Sequence, residues 1–171
     1  MNIVLIGYRG SGKSSLGKLL AEKLGADFID TDVLITERAG KTIQQIFAAE
    51  SEAGFRQREV EAIAEVAVRD HQVIAAGGGA VLNPQNVRAF KRCGKIIWLQ
   101  ANAGTLHQRI HADPATAATR PSLTAMGGTL EEVQKLVAQR APLYAAAADE
   151  TLDVTHLSQE QALERLLAWL V

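Results

Sequence analysis

The segment Gly7-Tyr8-Arg9-Gly10-Ser11-Gly12-Lys13-Ser14 follows the apolar run Ile3-Val4-Leu5-Ile6 and leads into a one-faced apolar pattern, Leu16, Leu19, Leu20 and Leu24. It fits Gly-x-x-x-x-Gly-Lys-Ser in the setting that gives this spacing meaning, a strand, a loop and a helix in succession. Glycines permit the tight turn in which successive backbone N–H groups converge, and the positive end of the helix dipole adds to their field. Such a loop cradles phosphate. Lys13 is placed to reach the β- and γ-phosphates of a nucleoside triphosphate, and the Ser14 hydroxyl to ligate Mg²⁺. A plain glycine-rich turn needs neither the lysine nor the hydroxyl.

Outward from this loop, strands and helices alternate. Val73–Ala76 and Ile96–Leu99 read as buried strands, Phe28-Ile29 as a shorter one and Thr151–Val154 as a fifth. Gly25 ends the first helix. A second helix is predicted from about Phe55 to Arg69, with Val60, Ile63, Ala64 and Ala67 on its inner side. Asn83-Pro84 caps and starts a third. Thr129 and Ser158 open capping boxes, the first leading a helix to about Ala147 and the second a terminal one with Leu163, Leu166, Leu167 and Leu170 inward. The pattern predicts an α/β layer fold with a mostly parallel sheet. Ligands of such sheets bind at the carboxyl ends of the strands.

Size and charge narrow the options. The chain has 171 residues, enough for one domain, is 47% hydrophobic and carries a formal net charge of −1. No polyanion-binding surface is implied, so nucleic acid is not the expected partner. Cys93 is the single cysteine, read as a packed or partly exposed thiol and not a nucleophile, and no disulfide can form within the chain, which suits a reducing cytoplasm. No secretory leader is visible and no apolar run approaches the ~18 residues that span a bilayer, so a cytoplasmic protein that does not engage membranes is expected. The four histidines show no metal-ligand spacing.

The strand ends carry the chemistry. Asp30-Thr31-Asp32 follows the second strand, and in extended geometry its two carboxylates share a face, one for Mg²⁺ and one for the proton of an attacking hydroxyl. Gly77-Gly78-Gly79 follows the third strand and lets the main chain pass close to a small ligand. Arg56 and Glu59 are three apart on one helical face. The reading in which Glu59 holds Arg56 toward an anion stands beside that of a surface ion pair of little value. Arg140 lies beside Pro142, which interrupts its helix, and is a second candidate for the anion; Tyr144 reads as packing. Ala112 to Gly128 breaks the pattern and, holding Arg120, reads as a mobile lid.

Together Gly7–Ser15, Asp30-Thr31-Asp32, Phe55-Arg56 with Glu59, Gly77–Gly79, Arg120-Pro121 and Arg140-Ala141-Pro142-Leu143-Tyr144 resemble the shikimate kinase family, in family order and over almost the whole chain. The resemblance implies a three-layer P-loop kinase fold over residues 1–171, a central five-stranded parallel sheet flanked by helices, an acceptor-binding segment at about 31–60 and a lid at about 112–128. It implies a monomer that transfers the ATP γ-phosphoryl to the 3-hydroxyl of shikimate with Mg²⁺, a step toward chorismate and the aromatic amino acids. By position it implies Gly10, Ser11, Gly12, Lys13, Ser14 and Ser15 on the triphosphate, Ser14 on Mg²⁺ and Asp30 supporting the metal through water. Asp32 is the implied base and hydroxyl ligand, Arg56 and Arg140 the carboxylate clamp, Gly78 an N–H donor and Arg120 the cation of the lid. Lys13, Asp32 and Arg120 are the implied catalytic residues. The lid approach, Ala112–Thr119, looks longer than usual, Ser122 departs from the frequent Arg-Pro-Leu-Leu, and Thr155 to Ser158 faces the base without an assignable contact. A kinase of another small acceptor, such as gluconate or a nucleoside monophosphate, is the rival enzyme. A nucleotide-gated binding module is the rival of another class, disfavoured by Asp30, Asp32, Lys13 and Arg120 all being present.

Overall fold

Buried parallel strands must be apolar on both faces, and the apolar runs of this chain meet that requirement. The structure is a computed structural model that describes residues 1–113 and 128–170. Strands β1 (Asn2–Ile6), β2 (Asp27–Asp30), β3 (Gln72–Ala75), β4 (Gly94–Gln100) and β5 (Glu150–Asp153) form one sheet in the order β2-β3-β1-β4-β5. Every neighbouring pair is parallel. β1 and β3 are buried along their whole length, so both faces of the sheet are covered. The chain leaves β1 for the β2 edge, returns through β3 and crosses to β4, so the strand order reverses beside β1. That reversal opens a crevice at the carboxyl ends of the strands.

The helices are α1 (Lys13–Leu24), α2 (Thr31–Ala39), α3 (Ile43–Val66), α4 (Pro84–Cys93), α5 (Ala103–Ala112), α6 (Leu130–Ala147) and α7 (Gln159–Leu170). Asn83 accepts from the Gln85 N–H at 2.9 Å with Pro84 in the first turn, as expected. Ser158 and Gln161 exchange both bonds of a capping box. Thr129 caps α6 by accepting from the Glu132 N–H, but the Glu132 carboxylate reaches the Gly128 N–H instead of closing the box. Among the described residues no helix is long and apolar enough to cross a membrane.

Three expectations need correction. Asp30-Thr31-Asp32 is not extended throughout: Asp30 ends β2 and Thr31 already begins α2. The helix predicted from Phe55 begins at Ile43 and includes a kink at Ser51, whose φ of 63° and ψ of 179° are non-helical. Its buried face is Phe55, Glu59, Ala62, Ile63 and Val66; of the expected inner residues Ile63 is buried and Ala67 packs against the core, whereas Val60 is only half-buried and Ala64 is exposed. Ile35, Ile43, Ile46, Phe55 and Ala62 form a small core of their own under α2 and α3, apart from the main core on the sheet. The segment expected to form the lid falls largely on 114–127, outside the described residues.

Candidate active site

Four of the five strands deliver their loops to one cleft of about 880 Å³. After β1 the chain turns through Gly10 and Gly12, whose φ values of 88° and 91° are left-handed and suit glycine. Gly12 is the N-cap of α1 and supplies no side-chain acceptor, so the first-turn N–H groups face the cleft without a capping side chain. Lys13 folds over the loop, its Nζ donating to the carbonyls of Gly7 at 2.8 Å and Tyr8 at 3.0 Å.

After β2, Asp30 works on both sides. Its Oδ1 caps α2 by accepting from the N–H groups of Asp32 (3.0 Å) and Val33 (3.2 Å). Its Oδ2 accepts from the Ser14 hydroxyl at 2.5 Å. A hydroxyl and a carboxylate oxygen so placed beside a phosphate loop are the hard donors that suit Mg²⁺. Among the described residues no cluster of three or more histidine, cysteine or acidic side chains could hold a metal alone. An ion here would complete its shell from phosphate and water, as Mg²⁺ in phosphoryl-transfer sites does.

After β3, the chain passes Gly77, Gly78 and Gly79 and is held from two directions. Thr31 Oγ1 accepts from the Gly77 N–H at 3.0 Å, and the buried Tyr144 hydroxyl donates to the Gly78 carbonyl at 2.5 Å. Burial pushes the Tyr144 phenol up to about 12, so at neutral pH it keeps the proton that it donates. Space explains two of the glycines. A β-carbon at Gly77 would fall 2.5 Å from Asp32 Oδ1, and one at Gly79 would fall 2.5 Å from both terminal nitrogens of Arg56.

These contacts define a smaller pocket that opens into the cleft, with Arg9, Asp32 and Gly78 common to both. Phe47 and Phe55 line the smaller pocket, their ring centroids 5.1 Å apart, with the Arg56 guanidinium carbon 5.3 Å from the Phe55 centroid. Arg56 donates to Glu59 Oε1 at 3.0 Å and reaches the exposed Glu52 at 3.3 Å. Glu59 is 1% exposed, which decides between the two readings of this pair: it is a buried anchor, not a solvated surface bridge. Its carboxyl is pushed up to about 7, chiefly by burial and further by Asp32, against the pull of Arg56 and Arg140. Arg140 is buried, with its guanidinium 5.7 Å from the centroid of the Tyr8 ring. Pro142, two residues on, lies inside α6 and has no N–H for the Ala138 carbonyl.

The structure therefore brings Gly10 to Ser15, Asp30, Asp32, Arg56, Gly78 and Arg140 to one edge of the sheet. Arg120 lies outside the described residues. Sequence reasoning missed Thr31 and the hydroxyl of Tyr144, which fix the glycine loop. It also missed Arg109 and Ile110 on α5, which line the far end of the cleft with Val154 and Leu157. Arg109 donates to the Val154 carbonyl at 3.1 Å. That end of the cleft was signalled by the loop Thr155 to Ser158 just past β5, of which Leu157 and Ser158 line it.

A parallel sheet with a Lys-Ser phosphate loop at its switch point, sharing an edge with a small pocket of arginines and buried carboxylates, defines a P-loop phosphotransferase acting on a small anionic acceptor. Comparison with known proteins gives the family. The model of the shikimate kinase family matches residues 9–171. A shikimate kinase of Symbiobacterium thermophilum is 48% identical over 153 residues, 86% of this chain and 83% of that one. One of Rhodopirellula baltica is 43% identical over 97% and 88% of the two chains. The structure of an Acinetobacter baumannii shikimate kinase in complex with shikimate superposes with a TM-score of 0.91 at 32% identity, covering 99% of this chain and 92% of that one. The chain belongs to the shikimate kinase family.

Proposed function

We propose that the protein transfers the γ-phosphoryl group of ATP to the 3-hydroxyl of shikimate, releasing shikimate 3-phosphate and ADP. The observation that carries the reading is the shared mouth of the two pockets. Arg56, Arg140 and Asp32 surround a site for a small hydroxy acid that opens directly onto the phosphate loop. Two guanidinium groups suit a carboxylate, and the fixed carboxylate of Asp32 suits ring hydroxyls. The relatives named above, one of them solved with shikimate, supply the identity of that acid.

In this reading the N–H groups of Gly10 to Ser15 hold the triphosphate, and Lys13 leaves the Gly7 and Tyr8 carbonyls for the phosphate oxygens. Mg²⁺, held by Ser14 and through water by Asp30, supplies neutralisation of the phosphate charge when bound. Arg56 and Arg140 grip the acceptor carboxylate and the Gly78 N–H donates to it, so the 3-hydroxyl points at the γ-phosphorus. The hydroxyl oxygen bonds to phosphorus, the bond to the β,γ-bridging oxygen breaks with its electrons on ADP, and the hydroxyl proton passes to Asp32. Arg120 adds a cation to the transferring group. Positioning and charge stabilisation suffice for this step.

Release of ADP from MgATP, measured with shikimate, with gluconate and with neither, tests the proposal. ADP release that depends on shikimate, with shikimate 3-phosphate identified by phosphorus NMR, is the expected result. ADP release that shikimate does not stimulate refutes it. Lys13→Ala should lower the shikimate-dependent rate by orders of magnitude.

A further inference from the structure

The acceptor pocket holds a carboxyl group that the phosphoryl-transfer step leaves unused. Glu59 sits on α3 beneath the glycine loop, 1% exposed. Its Oε1 accepts from Arg56, while Oε2 has no hydrogen-bond partner among the described residues. Oε2 lies 3.1 Å from where a β-carbon of Gly77 would stand, and Asp32 Oδ1 lies 2.5 Å from the same point, so the two carboxylates flank one glycine. The charges that act on Glu59 come from three elements: Arg56 on α3 itself, Asp32 on α2 and Arg140 on α6. Arg9 and Tyr8 of the phosphate loop also line the pocket, Arg9 at the mouth shared with the nucleotide cleft. The glycine loop contributes no ionisable side chain.

Charge balance follows from this arrangement. With Glu59 ionised, Arg9, Arg56 and Arg140 are matched by Asp32, Glu59 and the exposed Glu52. A carboxylate that docks on Arg56 and Arg140 brings one more negative charge beside the buried Glu59, where uncompensated charge is costly. The docked anion also draws off the guanidinium fields that keep Glu59 ionised. A buried carboxyl whose midpoint already lies at about 7 needs little more to take a proton.

Resting on the acceptor assignment above, we propose that Glu59 takes up a proton from solvent as the acceptor carboxylate docks between Arg56 and Arg140, so that the acid and a proton enter the pocket together. The bond formed is O–H at Glu59, and the proton comes from the buffer. Affinity for the acceptor then falls as pH rises above neutrality, because a proton must be found for each acceptor bound.

Calorimetric titration of the protein with shikimate, in buffers of different ionisation enthalpy, counts that proton. The expected result near pH 7 is a heat that varies linearly with buffer ionisation enthalpy, with a slope of about half a proton taken up per shikimate. Kd should rise roughly tenfold between pH 7 and 8.5. In Glu59→Gln, which keeps an amide oxygen for Arg56 but cannot titrate, slope and pH dependence should both disappear. If that variant fails to fold or bind, infrared difference spectra of the wild type with and without shikimate replace it. Glutamate labelled with carbon-13 at the carboxyl shifts glutamate bands and leaves aspartate bands in place, so a gained protonated-carboxyl band that moves with the label supports Glu59. Binding with heats independent of buffer, or a gained band that ignores the label, overturns the proton uptake and leaves the acceptor assignment standing. Absence of shikimate binding in every buffer overturns both.

Discussion

Gly79→Ala tests the proposed carboxylate clamp without replacing a charged residue. The backbone at Gly79, φ −97° and ψ 4°, is open to alanine, so the main chain need not move. The new methyl group would stand 2.5 Å from both terminal nitrogens of Arg56 and 2.8 Å from its central carbon, against ordinary contacts of 3.4–4 Å. The guanidinium must withdraw by about 1 Å. What yields is the tip of a flexible side chain, so the fold should keep a melting temperature close to the parent's. A displacement of that size spoils a bidentate grip on a carboxylate. Loss of one charge-assisted hydrogen bond is worth about 1.5–3 kcal/mol, which corresponds to roughly a ten- to hundred-fold rise in KM for shikimate. KM for ATP should change little. Steady-state kinetics in both substrates, with thermal unfolding as the control, decide the matter. An unchanged KM for shikimate would mean that Arg56 does not hold the acceptor. A rise confined to ATP would move Arg56 to the phosphates.

Three further outcomes follow from single features of the structure. Ser51 occupies a backbone region that is essentially reserved for glycine, and Glu50 and Arg58 close across the kink through two 2.8 Å bonds, so Ser51→Gly should raise stability in urea by about 1 kcal/mol; a loss would show that the serine is not strained. Tyr144→Phe removes the donor to the Gly78 carbonyl and should cost about 1–3 kcal/mol in the same measurement, with a raised KM for the acceptor; equal stability would mean that water takes over the bond. Glu59 also leaves a signature in the free protein. Its folded midpoint of about 7 lies above the ordinary 4.5, so the folded chain holds a proton that the unfolded chain has released. Its contribution is therefore full below about pH 4.5 and is lost as pH rises through 7, on the order of 3 kcal/mol in all. The difference in unfolding free energy between wild type and Glu59→Gln should shift by that amount between pH 4.5 and 8; a difference flat in pH refutes the raised midpoint.

The phosphate loop and the strands were legible because each follows a single rule. Glycine spacing with Lys13 and Ser14 marks the loop, and two-sided burial makes β1 and β3 read as apolar runs. The inner face of α3 was not legible for a physical reason. Its buried stripe includes Glu59, and a count of apolar residues at helical spacing steps over a charge and settles on the wrong neighbours, Val60 and Ala64. The same blindness hid the start of α2, where Asp30 is at once the last residue of a strand and the cap of a helix. Tyr144 could be read as packing, since its ring is buried, but nothing in the sequence said that its hydroxyl would meet the Gly78 carbonyl 66 residues away.

The two halves of the site rest on different physics. In the proposed function phosphate is met by backbone N–H groups and a helix end, which cannot titrate and cannot swing away, and glycine is the mark they leave in the sequence. In the same proposal the acceptor meets side-chain charges that hold one another in advance: Arg56 on Glu59 and Glu52, and Arg140 against Tyr8. Holding two cations ready in a buried pocket requires buried counter-charges, and Glu59 and Asp32 supply them. Because the ligand is itself an anion, those counter-charges become surplus once it binds. Discarding one would forfeit the order of the empty pocket, whereas protonating one keeps the side chain and its bond to Arg56 while removing the charge. A carboxyl balanced near neutrality can do both. On this view the raised midpoint of Glu59 is a consequence of preorganising a cationic clamp, not a separate adaptation.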